Sequence, residues 1–188
     1  MDSKFFLHES SYVDTGSEIG SGTKIWHFSH ILGNVKIGKH CTIGQNVVIG
    51  PNVVLGDNCK VQNNVSIYDG VIAEDNVFFG PSCVFTNVIN PRANVERKDE
   101  FKPTYLMEGV TIGANATIIC GIKLNKYCMV GAGSVVTRDV KKFSIVIGNP
   151  ANHYKWVSKR GAILGEDLKC PETNEQYFLD ELGELETE

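Results

Sequence analysis

The 188-residue chain has no apolar run long enough to cross a bilayer, and its first residues, MDSKFFLHES, hold no apolar stretch of the length a secretory leader needs. The expectation is a cytoplasmic protein. There is no basic excess either. Lys and Arg number 18 against 22 Asp and Glu, a net charge of −4, which argues against a nucleic-acid or polybasic membrane surface. Six cysteines include no CxxC pair, and their spacings match no zinc pattern. With a cytoplasmic location expected, the thiols are expected to be reduced and structural. The hydrophobic fraction, 42%, suits one globular domain with a sizeable core.

What the chain does have is a repeat of six. From Val13 it divides as VDTGSE IGSGTK IWHFSH ILGNVK IGKHCT IGQNVV IGPNVV LGDNCK VQNNVS IYDGVI AEDNVF FGPSCV FTNVIN. The first place is aliphatic at Ile19, Ile25, Ile31, Ile37, Ile43, Ile49, Leu55, Val61 and Ile67. The second is often Gly, and the fourth is often Asn (Asn34, Asn46, Asn52, Asn58, Asn64, Asn76). The fifth is small or β-branched and takes Cys41, Cys59, Cys83 and Cys128 as compact apolar groups. The phase returns in IGANAT IICGIK LNKYCM VGAGSV VTRDVK. A period of six does not track the helical 3.6 and is too short for a helix-pair repeat. It fits a short strand plus a corner. First and fifth places point inward, and Asn or Gly turns the corner at positive φ. Three hexads close one triangular coil, and coils stack as parallel strands about 4.8 Å apart. Each coil buries its aliphatics only against its neighbours, so many are needed. The chain is therefore expected to be all-β: a parallel β-helix forming a single domain over 1–188, with coils over 13–90 and 112–147.

Residues 91–109 break the pattern. Pro91 and Pro103 oppose strand pairing, and the charges of ERKDEFK oppose burial. A stack that resumes in phase must extrude this segment as a loop, and long loops on rigid scaffolds often carry function. Beyond Val146 the hexad fades. NPANHYKWVSKRGAI is mixed and aromatic and is expected to hold a short helix. Residues 151–188 are expected to form a small C-terminal cap over the open end of the stack, with an acidic tail.

GVTIGANATIICGI, VGAGSVVTRDV and IGNPA together resemble the C-terminal half of the hexapeptide-repeat acyltransferases. That resemblance implies a left-handed β-helix, a homotrimer, and acetyl-CoA bound in a groove between subunits, with no metal. IGSGTKIWHFSHI, IGQNVVIG, VQNNVSIYDGV, FGPSCVFTNVINPR, RKDEFKPTYL and CPETNEQY resemble a narrower group. These are the N-acetyltransferases acting on the 3-amino group of UDP-2-acetamido-3-amino-2,3-dideoxy-glucuronate, which supply lipopolysaccharide O-antigen sugars. Relatives acting on dTDP-3-amino-3,6-dideoxyhexoses share the FTN…PR element and form the alternative, together with a sugar O-acetyltransferase. A γ-type carbonic anhydrase on the same fold needs three His ligands in the middle coils, and the five His stand at 8, 27, 30, 40 and 153. An ice-binding surface would need regular Thr ladders, which the hexads lack.

Amide formation requires a neutral amine, donors for the developing oxyanion and a proton for the leaving thiolate. An amine on a sugar ring carrying electron-withdrawing substituents is less basic than lysine, so positioning dominates. The resemblance places an Asn of the FTN element beside that amine, and Asn87 matches it. Its side-chain carbonyl can accept a hydrogen bond from the nitrogen. It also sits at the third place of its hexad, not at the corner place. Arg92 opens the loop and is either a partner for substrate carboxylate or diphosphate or a solvated charge; Lys98 has a weaker claim. His27 and His30 are surface groups or substrate contacts. Gly113, Ala114, Gly131 and Ala132 recur 18 residues apart, one coil, and suit close approach of pantetheine. Arg138, Lys141 and Lys142 are candidates for the CoA phosphates or a solvated basic rim.

Overall fold

The computed structural model describes residues 5–187. Its coils are built of two- and three-residue strands in three parallel sheets, ending at the longer strand Ser144–Gly148, and no α-helix occurs among the described residues. The first face begins at Phe6–Leu7 and continues through Lys24–Ile25, Thr42–Ile43, Lys60–Val61, Phe78–Phe79, Thr111–Ile112, Met129–Val130 and Ser144–Gly148. The second runs from Tyr12–Val13 through His30–Ile31, Val48–Ile49, Ser66–Ile67, Val84–Phe85 and Thr117–Ile118 to Val135–Val136. The third runs from Glu18–Ile19 through Lys36–Ile37, Val54–Leu55, Val71–Ala73 and Thr104–Leu106 to Lys123–Leu124. The chain thus coils as a parallel β-helix, starting at Phe6, one strand before the hexad pattern becomes legible.

The hexad explains each feature. First-place residues stack inside: Ile25, Ile31, Ile43, Ile49, Val61, Phe79, Phe85, Ile112 and Ile118 are all fully buried. Removing such a side chain from water contributes about 1.5–3 kcal/mol. Fifth places fill the corners of the triangle. At Ser29 the hydroxyl is satisfied by the next coil: its Oγ donates to the Gly44 carbonyl at 2.8 Å and accepts the Val47 N–H at 3.0 Å. All six cysteines are free and buried, and burial pushes the Cys83 thiol up to about 12. Every fourth place from Gly16 to Ser82, and again from Gly109 to Gly133, has positive φ.

Two differences from the sequence-based expectation have clear causes. The segment expected to be extruded through Gly109 rejoins the stack at Thr104–Leu106, which pairs with Val71–Ala73 on one side and Lys123–Leu124 on the other. Thr104 and Leu106 point inward and are buried, and LMEGVT is itself a hexad with a corner glycine. Ala73 and Leu106 are register partners 33 residues apart, where Leu55–Ala73 below and Leu106–Leu124 above repeat at 18. The second difference is the expected short helix, which is a strand. Ala151–Trp156 folds back antiparallel on Ser144–Gly148. Backbone hydrogen bonds along the last parallel strand outweigh any helical tendency there. Beyond it, Tyr177, Phe143, Leu164, Cys170 and Leu185 form a second small core, with the hairpin Tyr177–Leu179/Leu185–Thr187 around it.

Candidate active site

Three corners run up the stack, and strand register fixes which residues share each. The first corner, between first and second faces, carries Trp26–His27 in a low coil, then Gly80–Pro81, Gly113–Ala114 and Gly131–Ala132 higher up. The second, between second and third faces, carries Tyr68–Asp69, Thr86–Asn87, Ile119–Cys120 and Thr137–Arg138. Lys141 and Lys142 lie past Val140, at the top of the third corner.

Asn87 is half-buried where the chain leaves the stack. Its backbone carbonyl accepts the Lys102 N–H at 2.9 Å, closing the neck of the loop, and Thr86 Oγ1 accepts the Cys120 N–H at 2.9 Å from the coil above. The backbone is held at both ends while the Asn87 side chain makes no hydrogen bond among the described residues. At the loop base lies a hollow of about 570 Å³ lined by Val88, Ile89, Asn90, Asp99, Glu100, Phe101 and Lys102. Inside the loop Lys98–Glu100 forms one 3₁₀ turn, clamped by Arg97 Nη1 donating to both oxygens of Glu100 at 2.7 and 3.0 Å. Arg92 is exposed at the mouth and has no carboxylate within ion-pair distance among the described residues, whereas Lys98 faces Glu96 at 3.7 Å.

Sequence reading passed over Asp69. It holds the third hexad place one coil below Asn87, so the two Cα atoms are separated by about the strand spacing of 4.8 Å. Asn52 Nδ2 donates to Asp69 Oδ2 at 3.3 Å, and the other oxygen has no partner among the described residues. The signal was the 18-residue step back from Asn87. The histidines are not brought to this level. His30 is tied to Asp14 at 3.0 Å and His27 stacks on His8 at 3.5 Å, both three coils below Asn87, roughly 14 Å along the axis.

The hexapeptide repeat is matched by two family descriptions. "Bacterial transferase hexapeptide (six repeats)" covers residues 16–51 and 103–138, and "Hexapeptide repeat of succinyl-transferase" covers 34–69. The chain is 47% identical over 146 residues to the dTDP-3-amino-3,6-dideoxy-alpha-D-galactopyranose 3-N-acetyltransferase of Aneurinibacillus thermoaerophilus, spanning 78% of this chain and 75% of that one. The chain belongs to the hexapeptide-repeat acetyltransferases. Among solved structures, a hexapeptide-repeat acetyltransferase of Vibrio cholerae O1 biovar eltor complexed with acetyl-coenzyme A aligns with TM-score 0.51 at 26% identity, over 62% of this chain and 70% of that one. PerB of Caulobacter crescentus, in complex with CoA and GDP-perosamine, aligns with TM-score 0.52 at 21% identity over 80% and 56%, a likeness of fold. The coil is accordingly the left-handed parallel β-helix.

In this acetyltransferase the residues expected at the cofactor fall in two places. Gly113, Ala114, Gly131 and Ala132 form one column on the first corner. The bare Cα of Gly113 is explained by stacking, since a Cβ there would stand 2.5 Å from the Ala132 nitrogen and 2.7 Å from the Gly131 carbonyl carbon. Arg138 and Lys141 instead rim a cavity of about 650 Å³ at the open end of the stack, floored by Val136, Val140, Val146 and Ala151. Arg138 bonds the Asn152 side-chain oxygen, and Lys141 Nζ donates to the Gly183 carbonyl at 3.2 Å; neither has a carboxylate partner among the described residues. His153 on the same rim hydrogen-bonds Ser144 at 2.7 Å, and burial, then the Lys141 charge, holds its pKa below the ordinary value. Lys142 is paired with Glu186. No group of three or more His, Cys, Asp or Glu that could hold a metal occurs among the described residues, and no helix there is long and apolar enough to cross a membrane.

Proposed function

We propose that the protein is an acetyl-CoA-dependent N-acetyltransferase for the 3-amino group of a nucleotide-linked amino sugar, with a dTDP-3-amino-3,6-dideoxyhexose as acceptor. The observation that carries this is Asn87: an unpartnered amide on a fixed backbone, beside a loop hollow and one coil above Asp69. It is supported by the 47% identity to a dTDP-3-amino sugar 3-N-acetyltransferase, which favours this acceptor over the UDP-linked uronate implied by the motifs. The uronate stays a second reading because Arg92, exposed at the mouth with no carboxylate partner, suits a carboxylate.

The amide oxygen of Asn87 accepts one N–H of the neutral amine and aims its lone pair at the thioester carbon. The C–N bond forms, the C–S bond breaks, and the proton lost by nitrogen passes by way of Asp69 to the thiolate. An amine needs no strong base for this. A hydroxyl would, and the five His of the chain stand in other coils, which favours N- over O-acetylation. Bound acetyl-CoA supplies the thioester. Ala114 and Ala132 present a smooth corner for pantetheine, and the cationic rim of Arg138 and Lys141 suits its phosphates.

Asn87 and the Gly113–Ala132 column occupy different corners of one triangle, about six residues or roughly 20 Å apart along a face. One chain cannot bring amine and thioester together across that distance, so the site needs a corner from each of two copies. The second face between these corners carries Val48, Ser66, Val84, Thr117 and Val135 outward and no Lys, Arg, Asp or Glu. Such a face suits packing against another copy, and a head-to-tail contact closes into a ring, here a homotrimer. CoA release measured with dTDP- and UDP-linked 3-amino sugars tests the reading. Turnover of the dTDP-3-amino-3,6-dideoxyhexose supports it. Turnover of only a hydroxyl acceptor overturns it, and turnover of only the UDP-uronate moves the assignment to the second reading.

A further inference from the structure

We propose that Phe28, with Trp26 and His27 beside it, is the stacking platform for the base of the nucleotide-linked sugar; the proposal rests on the acceptor class assigned above. The first observation is conformational. Phe28 holds a corner place with φ 58°, where the matching corners carry mostly Asn or Gly and where a bulky side chain is an outlier. The other Phe and Tyr residues at positive φ are compensated by packing. Tyr127 lies parallel to Phe143 at 5.4 Å, and Phe143 is buried. Phe28 is 63% exposed and gains no such burial. Uncompensated backbone strain of this kind concentrates at functional sites.

The second observation is the surface that surrounds it. Trp26 is exposed, and its ring lies within 8° of the His27 plane. His8 stacks on His27 at 3.5 Å, and Phe6 lies 5.3 Å from Trp26. Exposed, mutually supported flat rings are what a base stacks on.

The third observation is position. The platform stands on the first corner, the same corner that carries Ala114 and Ala132. Relative to the level of Asn87, Ala114 is one coil above, Ala132 two above and Phe28 three below. A groove formed between the first corner of one copy and the second corner of another would therefore meet, in order, the base platform, the amine and the thioester. The roughly 14 Å from platform to amine is left for the diphosphate and sugar. The cofactor enters from one end and the nucleotide from the other.

Phe28→Asn is the decisive variant, because it installs at this corner the residue that Asn34, Asn46 and Asn52 already hold in the same conformation. It is expected to keep the melting temperature and the oligomeric state. It is also expected to raise the KM for the nucleotide amino sugar about tenfold or more, as loss of one base-stacking contact does, with kcat and the KM for acetyl-CoA changing less than twofold. Since the chain has two tryptophans, Trp156→Phe leaves Trp26 as sole indole. Titrating that variant with UDP, dTDP and GDP should then give saturable quenching that Phe28→Asn weakens. An unchanged sugar KM, or an oligomer that dissociates in Phe28→Asn, would overturn the platform while leaving the acceptor assignment intact. Saturable quenching in an enzyme that turns over no nucleotide amino sugar would sink the acceptor assignment and leave the platform standing.

Discussion

The main-chain carbonyl of Asn87 and the amide of Lys102, 2.9 Å apart, close the neck of the loop between the second face and the strand Thr104–Leu106. The bond belongs to the backbone, so it is independent of the Asn87 side chain. Structural and chemical roles at this residue are therefore separable. Asn87→Ala should leave melting temperature and oligomeric state unchanged while lowering kcat/KM by about 100-fold or more, the scale of a lost positioning contact. Steady-state CoA release on the purified variant measures it, and a near-wild-type rate would remove Asn87 from the mechanism.

Asp69 makes a different prediction. Its place below Asn87 follows from coil stacking, and Asn52 holds one of its oxygens. Asp69→Asn keeps the volume and that contact's geometry but removes the charge and the proton acceptor. Turnover should fall by about 100-fold or more, with a smaller change in KM for acetyl-CoA. Equal losses in kcat/KM for both substrates together with a lowered melting temperature would mark Asp69 as a corner-building residue instead.

At Gly113 two explanations compete, cofactor approach and coil stacking. The geometry favours stacking, because an added methyl would meet the backbone of Gly131 and Ala132 well inside contact distance. Gly113→Ala should cost about 1–3 kcal/mol through overpacking, read as a melting point lower by about 2–4 °C per kcal/mol. An unchanged melting point with a raised KM for acetyl-CoA would return the glycine to the cofactor.

The coils were legible because one rule repeats. Inward aliphatics, Gly packed under the next coil and Asn at positive φ each follow from local geometry, so a residue such as Ile49 or Asn52 announces its own position. Asn87 was legible for the converse reason, as an Asn outside the corner place. Phe28 was not, because its meaning lies in a conformation that only the corner imposes. Arg138, Lys141 and the Gly113 column read as neighbours in sequence, yet register places them on three different corners. The strand Ala151–Trp156 was also hidden. Its partner is a strand with the hexad already lost, and its exposed Tyr154 and Lys155 give no inward–outward alternation to read.

One carboxylate gathers three hydrogen bonds in the cap. Glu175 accepts hydrogen bonds from Thr187 Oγ1 at 2.7 Å, Tyr177 OH at 2.7 Å and Lys159 Nζ at 3.0 Å, joining the hairpin to the segment that follows Trp156. The Thr187 and Tyr177 hydroxyls, then Lys159, hold its pKa below the usual carboxylate value, while burial pushes the Tyr177 phenol up to about 12, so it stays protonated and donates. A folded-state pKa below the unfolded one means the stabilisation is complete above the unfolded value, near pH 4.3. It is then lost as pH falls through the folded value. Hydrogen-exchange protection of the Tyr177–Leu179 amides should therefore decline between roughly pH 5 and pH 3. Glu175→Gln should start from weaker protection at neutral pH and show a flatter decline over the same window. If wild type and variant lose protection in parallel, another acid holds the cap and Glu175 is a bystander.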